Sequence, residues 1–336
     1  MKIVLLGFGG IGQETLNALL STTERRGSVN EVVIICRNTE KYSAVCEDIL
    51  DGLLAEALFS RNNRTSLPKI VVTDDYRHID GADVILCCYG VPSTFPMHDR
   101  QALLDDHVRL SEAIFSRAKP FIAPGCHIIN AVNPVDSISY YIDKILLDSR
   151  CRVIGIGAAH NTARLLKSIC RISGIDMQRI DARSLTVCGE HGAGLVPLLS
   201  QVTTDEGPLN QLLSAQALAQ IVTDTRNQGL DIFHKMRRPP KYGPAASILI
   251  LLERIIQRDE TPCCGSVWLP ELGVFMSWPL ALRDGVFTPL SLMPNQDEQQ
   301  QIHQAALKLK NTSKVLADDD RSNQTDFPRS LHAVTP

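Results

Sequence analysis

Residues 2–20, KIVLLGFGGIGQETLNALL, constrain this chain more than any other stretch. An apolar run, Lys2–Leu6, leads directly into Gly7, Gly9 and Gly12 in GxGxxG spacing, and then into a helical apolar pattern over Gln13–Leu20. Each glycine has its own physical task. Gly7 permits a tight turn, Gly9 lets the backbone approach a pyrophosphate, and Gly12 lets the helix pack closely on the strand. The helix opening there offers unpaired N–H groups to phosphates. This turn, with Gly10 and Ile11 completing it, is therefore expected to bind a dinucleotide and to sit at the carboxyl edge of a parallel sheet.

The rest of the first half supports that sheet. Strand patterns at Glu31–Cys36, Ile70–Val72, Asp83–Cys88 and His127–Asn130 alternate with helical patterns at Glu40–Leu58 and Arg100–Ala118. Such alternation predicts an α/β fold, a Rossmann-type doubly wound parallel sheet covered by helices on both faces. Residues 1–150 are assigned to it. Residues 151–312 read as a mixed α+β substrate domain. Its expected strands are Arg152–Ile156, Leu185–Cys188, Ser266–Leu269, Val274–Ser277 and Gly285–Pro289, and its expected helices are Ala159–Ile172, Tyr242–Gln257 and Asp297–Lys310. Residues 313–336 form a polar stretch without periodicity, expected to be a mobile tail.

Composition narrows the partners. A net charge of −3 gives no reason to expect nucleic acid or a membrane surface. The longest apolar stretches, such as Ala245–Leu252, fall far short of the ~20 residues of a spanning helix. The ten cysteines include no CxxC pair, and several sit inside apolar runs such as VILCC. They read as small hydrophobes in the reduced state, with no metal site, and so point to a cytoplasmic setting.

The end of the second strand bears on the cofactor. A carboxylate is expected there to bind a ribose 2′-hydroxyl, yet the chain reads Cys36, Arg37, Asn38. Without the acid a 2′-phosphate meets no repulsion, and Arg37 can pair with it. NADP is accordingly favoured over NAD.

Six motifs follow in order: GFGGIG, GVP with a downstream MHDR, NAVNPVD, VIGIGAAHNTAR, CGEHGAG and KYGPAAS. Together they resemble the lactate/malate dehydrogenase family, from Met1 to about Lys310. The resemblance implies hydride transfer between a nicotinamide cofactor and a 2-oxo/2-hydroxy acid, with His191 of GEHGAG exchanging the proton. It implies that Arg164 of HNTAR grips the substrate carboxylate through two parallel hydrogen bonds, and that Arg100 of MHDR, on a mobile loop, polarises the carbonyl. Asn133 of VNPVD matches a residue on the nicotinamide side, and relatives are commonly dimers or tetramers.

Two departures stand out. The family places an aspartate three residues before the carboxylate-binding arginine, and here that residue is Asn161. Its carbonyl is expected to accept the Nδ1–H of His191 and keep the ring oriented, while the imidazolium loses a charge partner. The mobile loop carries Ser93, Thr94 and Phe95 where malate dehydrogenases carry an arginine, and Pro240 is expected on the opposite wall. A second substrate carboxylate would be left unpaired, so a neutral side chain is expected and malate/oxaloacetate is disfavoured. Asn161 also leaves open a non-catalytic dinucleotide-binding protein, or a reductase of an unusual substrate in specialised metabolism.

Overall fold

Six parallel strands form the first part of the sheet: β1 (Lys2–Leu6), β2 (Glu31–Ile35), β3 (Lys69–Thr73), β4 (Val84–Cys87), β5 (His127–Asn130) and β6 (Arg152–Gly155), in the order β3-β2-β1-β4-β5-β6. The computed structural model describes residues 1–22, 27–59, 67–91 and 100–322, without the side chains of Arg100 and 314–322. Successive side chains of β1 face opposite sides. Ile3 and Leu5 join one buried cluster with Leu16 and Leu20, whereas Val4 and Leu6 join another with Ile85 and Phe115. Burial on both faces explains why β1, β2 and β4 are nearly continuous apolar runs. The strand order reverses between β1 and β4, so a crevice opens beyond their carboxyl ends.

Among the described residues these strands are accompanied by the helices α1 (Gly10–Leu20), α2 (Thr39–Phe59), α3 (Arg100–Ala118) and α4 (Val135–Ile145). Next come α5 (Ala159–Ser173), β7 (Val187–Gly189), β8 (Leu195–Pro197), the two-residue strands β9 (Thr203–Thr204) and β10 (Gly207–Pro208), and the single turn α6 (Leu209–Leu212). The chain continues through α7 (Ala215–Met236), α8 (Tyr242–Gln257), β11 (Cys263–Leu269), β12 (Val274–Arg283), β13 (Val286–Pro289) and α9 (Gln296–Ser322). The sheet itself runs on antiparallel, because Ser266 of β11 pairs with Gly155 of β6 and Ser277 of β12 pairs with Gly189 of β7. A Cβ on Gly155 would lie 2.7 Å from Ser139 Oγ and 2.9 Å from Ser266 Cβ, so only glycine lets α4 and β11 meet there.

The structure adds α4, α6, α7, β8, β9 and β10 to the elements expected from periodicity. In α4 the sequence SISYYIDKI mixes β-branched and aromatic residues that read as strand. In α7 much of the surface is polar, and the apolar signal is diluted over many turns. Helix α9 runs on to Ser322, past the stop expected near Lys310. Once its packed half is formed, each further residue adds a backbone hydrogen bond. The rest of the expected tail, 323–336, lies outside the described residues. Among the described residues no helix is long and apolar enough to cross a membrane.

Candidate active site

Glycine geometry builds the dinucleotide cradle. Gly7 has φ +86°, and a Cβ there would fall 2.5 Å from Tyr89 Cα, a backbone atom that cannot yield. In front of Gly9 lies open space, with nothing within 4 Å of a Cβ. A Cβ on Gly12 would lie 3.1 Å from Gly7 O and 3.4 Å from Cys88 Cβ, which sets how closely α1 approaches the sheet. Gly9 caps α1 without any side-chain hydrogen bond, and the first turn carries no acid. Its N–H groups therefore face a surface that a pyrophosphate fits. Lys241 lies beside Gly10 and is paired with Glu14 at 3.1 Å.

Arg37 is exposed just beyond β2. Burial pushes the thiol of Cys36 up, and the Asp74 carboxylate pushes it in the same direction. An acid from the end of β3 thus stands near the end of β2, where the local sequence has none.

Three expected residues come together in the second half. Asn161 and Arg164, one helical turn apart on α5, share a face of that helix. Arg164 Nη1 donates to Asn161 Oδ1 at 2.6 Å, and Asn161 Nδ2 lies 3.2 Å from His191 Nδ1. This corrects the expectation for Asn161. Its carbonyl faces Arg164, and its amide faces the histidine, because a guanidinium carries donors only and claims the oxygen. Burial lowers the pKa of Arg164 below the ordinary arginine range, but a guanidinium stays charged. A Cβ on Gly229 of α7 would lie 2.9 Å from Arg164 Nη1, so a side chain there would crowd the guanidinium.

His191 follows β7, and its backbone N–H donates to Asp136 Oδ2 at 2.7 Å. Asp136 Oδ1 accepts from Ser266 Oγ at 2.6 Å. This buried carboxylate from the first turn of α4 ties the histidine loop to the sheet. The neighbouring Glu190 pairs with Lys308 of α9 at 2.8 Å. Asp136 escaped the sequence reading, although it stands in the NPVD motif that was singled out for Asn133.

His160 was missed as well. Its ring packs edge-on against His191, with centroids 5.2 Å apart. Its Nδ1 lies 3.0 Å from Ser247 Oγ, whose own proton goes to Gly243 O. His160 Nδ1–H is therefore the donor of that pair. Burial first, then its neighbours His191 and Arg164, hold its imidazole well below the usual histidine range. A Cβ on Gly243 would come 3.3 Å from His160 Cβ, so glycine makes room for this ring. The available signal was AAHNTAR, a histidine next to the departure at Asn161.

Asn133 precedes the cis peptide bond to Pro134. His107 of α3 ties it down: His107 Nδ1 is 2.5 Å from Asn133 O, and Val91 N donates to Nε2 at 3.2 Å. Pro240 lies between α7 and α8, next to Lys241. Arg100 is the first residue of α3, its side chain outside the description, and Ser93, Thr94 and Phe95 lie outside the described residues. Most of the cysteines are core residues. Burial pushes the thiols of Cys88 and the half-buried Cys264 up to about 12.

Both halves of the chain match known proteins. The lactate/malate dehydrogenase NAD binding domain profile matches residues 1–155, and that of the lactate/malate dehydrogenase alpha/beta C-terminal domain matches 161–318. The chain is similar to a malate dehydrogenase of Chlorobium chlorochromatii, 27% identical over 94% of this chain and 98% of the relative. It is also similar to an L-lactate dehydrogenase of Geobacillus sp., 25% identical over 95% of this chain and 97% of the relative. In fold it is similar to malate dehydrogenase from Aeropyrum pernix, with a TM-score of 0.80 and 22% identity over 93% of this chain and 97% of that one. With both domain profiles matched along its length, the chain belongs to the lactate/malate dehydrogenase family.

Proposed function

We propose that the chain is an NAD(P)-dependent dehydrogenase interconverting a 2-oxo acid and a 2-hydroxy acid with a neutral side chain. The observation that carries this reading is the hydrogen-bonded row Arg164–Asn161–His191. Arg164, part-buried, offers its remaining N–H groups to a substrate carboxylate, which orients the neighbouring carbonyl toward His191. His191 Nε2 then meets the carbonyl oxygen, where negative charge develops during reduction. When bound, the nicotinamide ring supplies or accepts the hydride. Asn133 lines its side of the site, Gly7–Gly12 hold the pyrophosphate, and Arg100 polarises the carbonyl.

Two features support a neutral substrate side chain. Pro240 offers shape without charge, and the adjacent cation, Lys241, is already paired with Glu14. Ser93, Thr94 and Phe95 supply no cation from the loop. This reading departs from several similar proteins, whose names are malate dehydrogenase. NADP is preferred through Arg37. The chain works in the cytoplasm as a homo-oligomer, and the exposed end of α2, where Phe59 is 92% accessible, is a surface a second copy can cover.

The test is a cofactor-linked absorbance assay across a panel of 2-oxo acids, with His191→Ala as control. Turnover of a neutral-side-chain acid that is lost in the variant is expected. A second reading, a non-catalytic dinucleotide-binding protein, is favoured by the Asn161 amide facing His191. It prevails if NADPH and NADH bind by calorimetry while no 2-oxo acid is turned over.

A further inference from the structure

Donor and acceptor chemistry in the row locates a proton. The guanidinium of Arg164 has no lone pair to offer, so its 2.6 Å contact makes the facing atom of Asn161 the carbonyl oxygen. The other end of that carboxamide is then an NH₂ group, whose nitrogen donates and does not accept. It lies 3.2 Å from His191 Nδ1, which must therefore be bare. A neutral imidazole with a bare Nδ1 carries its proton on Nε2.

We propose that Asn161 and Arg164 act together as positioning residues that hold His191 as the Nε2–H tautomer. The site thereby becomes a hydrogen-bond donor to a carbonyl oxygen and selects the 2-oxo form of its ligand over the 2-hydroxy form. The ligand half of this proposal rests on the 2-oxo/2-hydroxy acid reading given above.

Both other states of His191 conflict with the geometry. With the proton on Nδ1, an N–H would point at the Asn161 NH₂, donor against donor. The imidazolium repeats that clash and places a positive charge beside Arg164 and the His160 ring, 5.2 Å away between centroids. His160 has the opposite tautomer, because Ser247 accepts its Nδ1–H.

The ligand consequence follows from counting protons. A carbonyl oxygen only accepts, so it matches His191 Nε2–H. A hydroxyl also carries a proton that needs an acceptor, and a protonated Nε2 cannot be one.

The test reads the tautomer directly. In full-length protein carrying ¹⁵N-labelled histidine, long-range proton–nitrogen correlation spectra at pH 7.5 separate bare from protonated ring nitrogens. His191→Gln identifies the signal. Bare Nδ1 and protonated Nε2 are expected in the parent, and Asn161→Asp is expected to move the proton to Nδ1, since a carboxylate only accepts. A protonated Nδ1 in the parent overturns the proposal, and this measurement on the parent decides the matter even if Asn161→Asp fails to fold. In calorimetry with cofactor present, a 2-oxo acid is expected to bind at least ~10-fold tighter than its 2-hydroxy counterpart. Equal affinities overturn the selection. Binding of neither acid overturns the ligand half together with the dehydrogenase reading, while the spectrum still decides the tautomer. Turnover with a protonated Nδ1 leaves the dehydrogenase reading standing and sinks this one alone.

Discussion

Arg164→Lys separates geometry from charge at the substrate clamp. Lysine keeps the positive charge but replaces a planar fork by a point charge on a flexible stem. In the parent, Nη1 is spent on Asn161 Oδ1 at 2.6 Å, and the remaining guanidinium N–H groups are left for a carboxylate. Lysine cannot both hold Asn161 and grip two carboxylate oxygens. A hydrogen bond to a charged group is worth about 1.5–3 kcal/mol. With about 1.4 kcal/mol per tenfold in rate, losing one such bond lowers kcat/KM by roughly 10-fold to 150-fold. The assay is steady-state reduction of the best 2-oxo acid, with thermal unfolding as a control for folding. A folded variant within about threefold of the parent would refute the reasoning, because it would place the carboxylate elsewhere.

Four further outcomes are expected. Gly7→Ala should lose dinucleotide binding or fail to fold, since φ +86° and a Cβ 2.5 Å from Tyr89 Cα leave no room; calorimetry with NADH and NADPH checks this. NADPH should bind more tightly than NADH, Arg37→Ala should shrink that difference and Asp74→Asn should widen it; equal affinities unmoved by either change refute the cofactor reading. His191→Ala should lose reduction while the protein stays folded; a folded variant that still reduces the best 2-oxo acid would dismiss His191 as the donor. Finally, burial holds His107, His127 and His160 below the usual histidine range. The unfolded chain then binds protons that the folded chain does not, so stability is full above about pH 6.5 and declines as pH falls through it, by at most about 1.4 kcal/mol per pH unit per histidine. Urea midpoints between pH 7.5 and 5 that stay flat would contradict this.

What could be read without the fold was whatever depends on neighbours in the chain. Gly7, Gly9 and Gly12 announce their turn because strand, glycines and helix are contiguous, and the conformation at Gly7 is demanded locally. The strands of the parallel sheet were legible for a related reason. Burial on both faces forces continuous apolar runs, and β1 and β5 have the limits the pattern indicates. Arg164 and Asn161 could be placed on one helix face from spacing alone. Helix α4 resisted because its β-branched and aromatic residues favour a strand locally, although Val135, Ile138 and Ile142 do share a buried helix face, and α7 because its apolar residues are thinly spread among polar ones; both are secured by what they pack against.

Tertiary structure alone decided how the candidate site is wired. His191 receives Asp136 from α4 and Asn161 from α5, while His160 meets Ser247 from α8; partners so distant in sequence leave no periodic trace. The sequence by itself determined that an asparagine stands where the family has aspartate, and that an imidazole, a guanidinium and a glycine turn are present. It could not determine which end of the Asn161 carboxamide faces His191. The two ends are nearly identical in shape, and only the donor-only guanidinium of Arg164, brought within 2.6 Å by the fold, tells them apart.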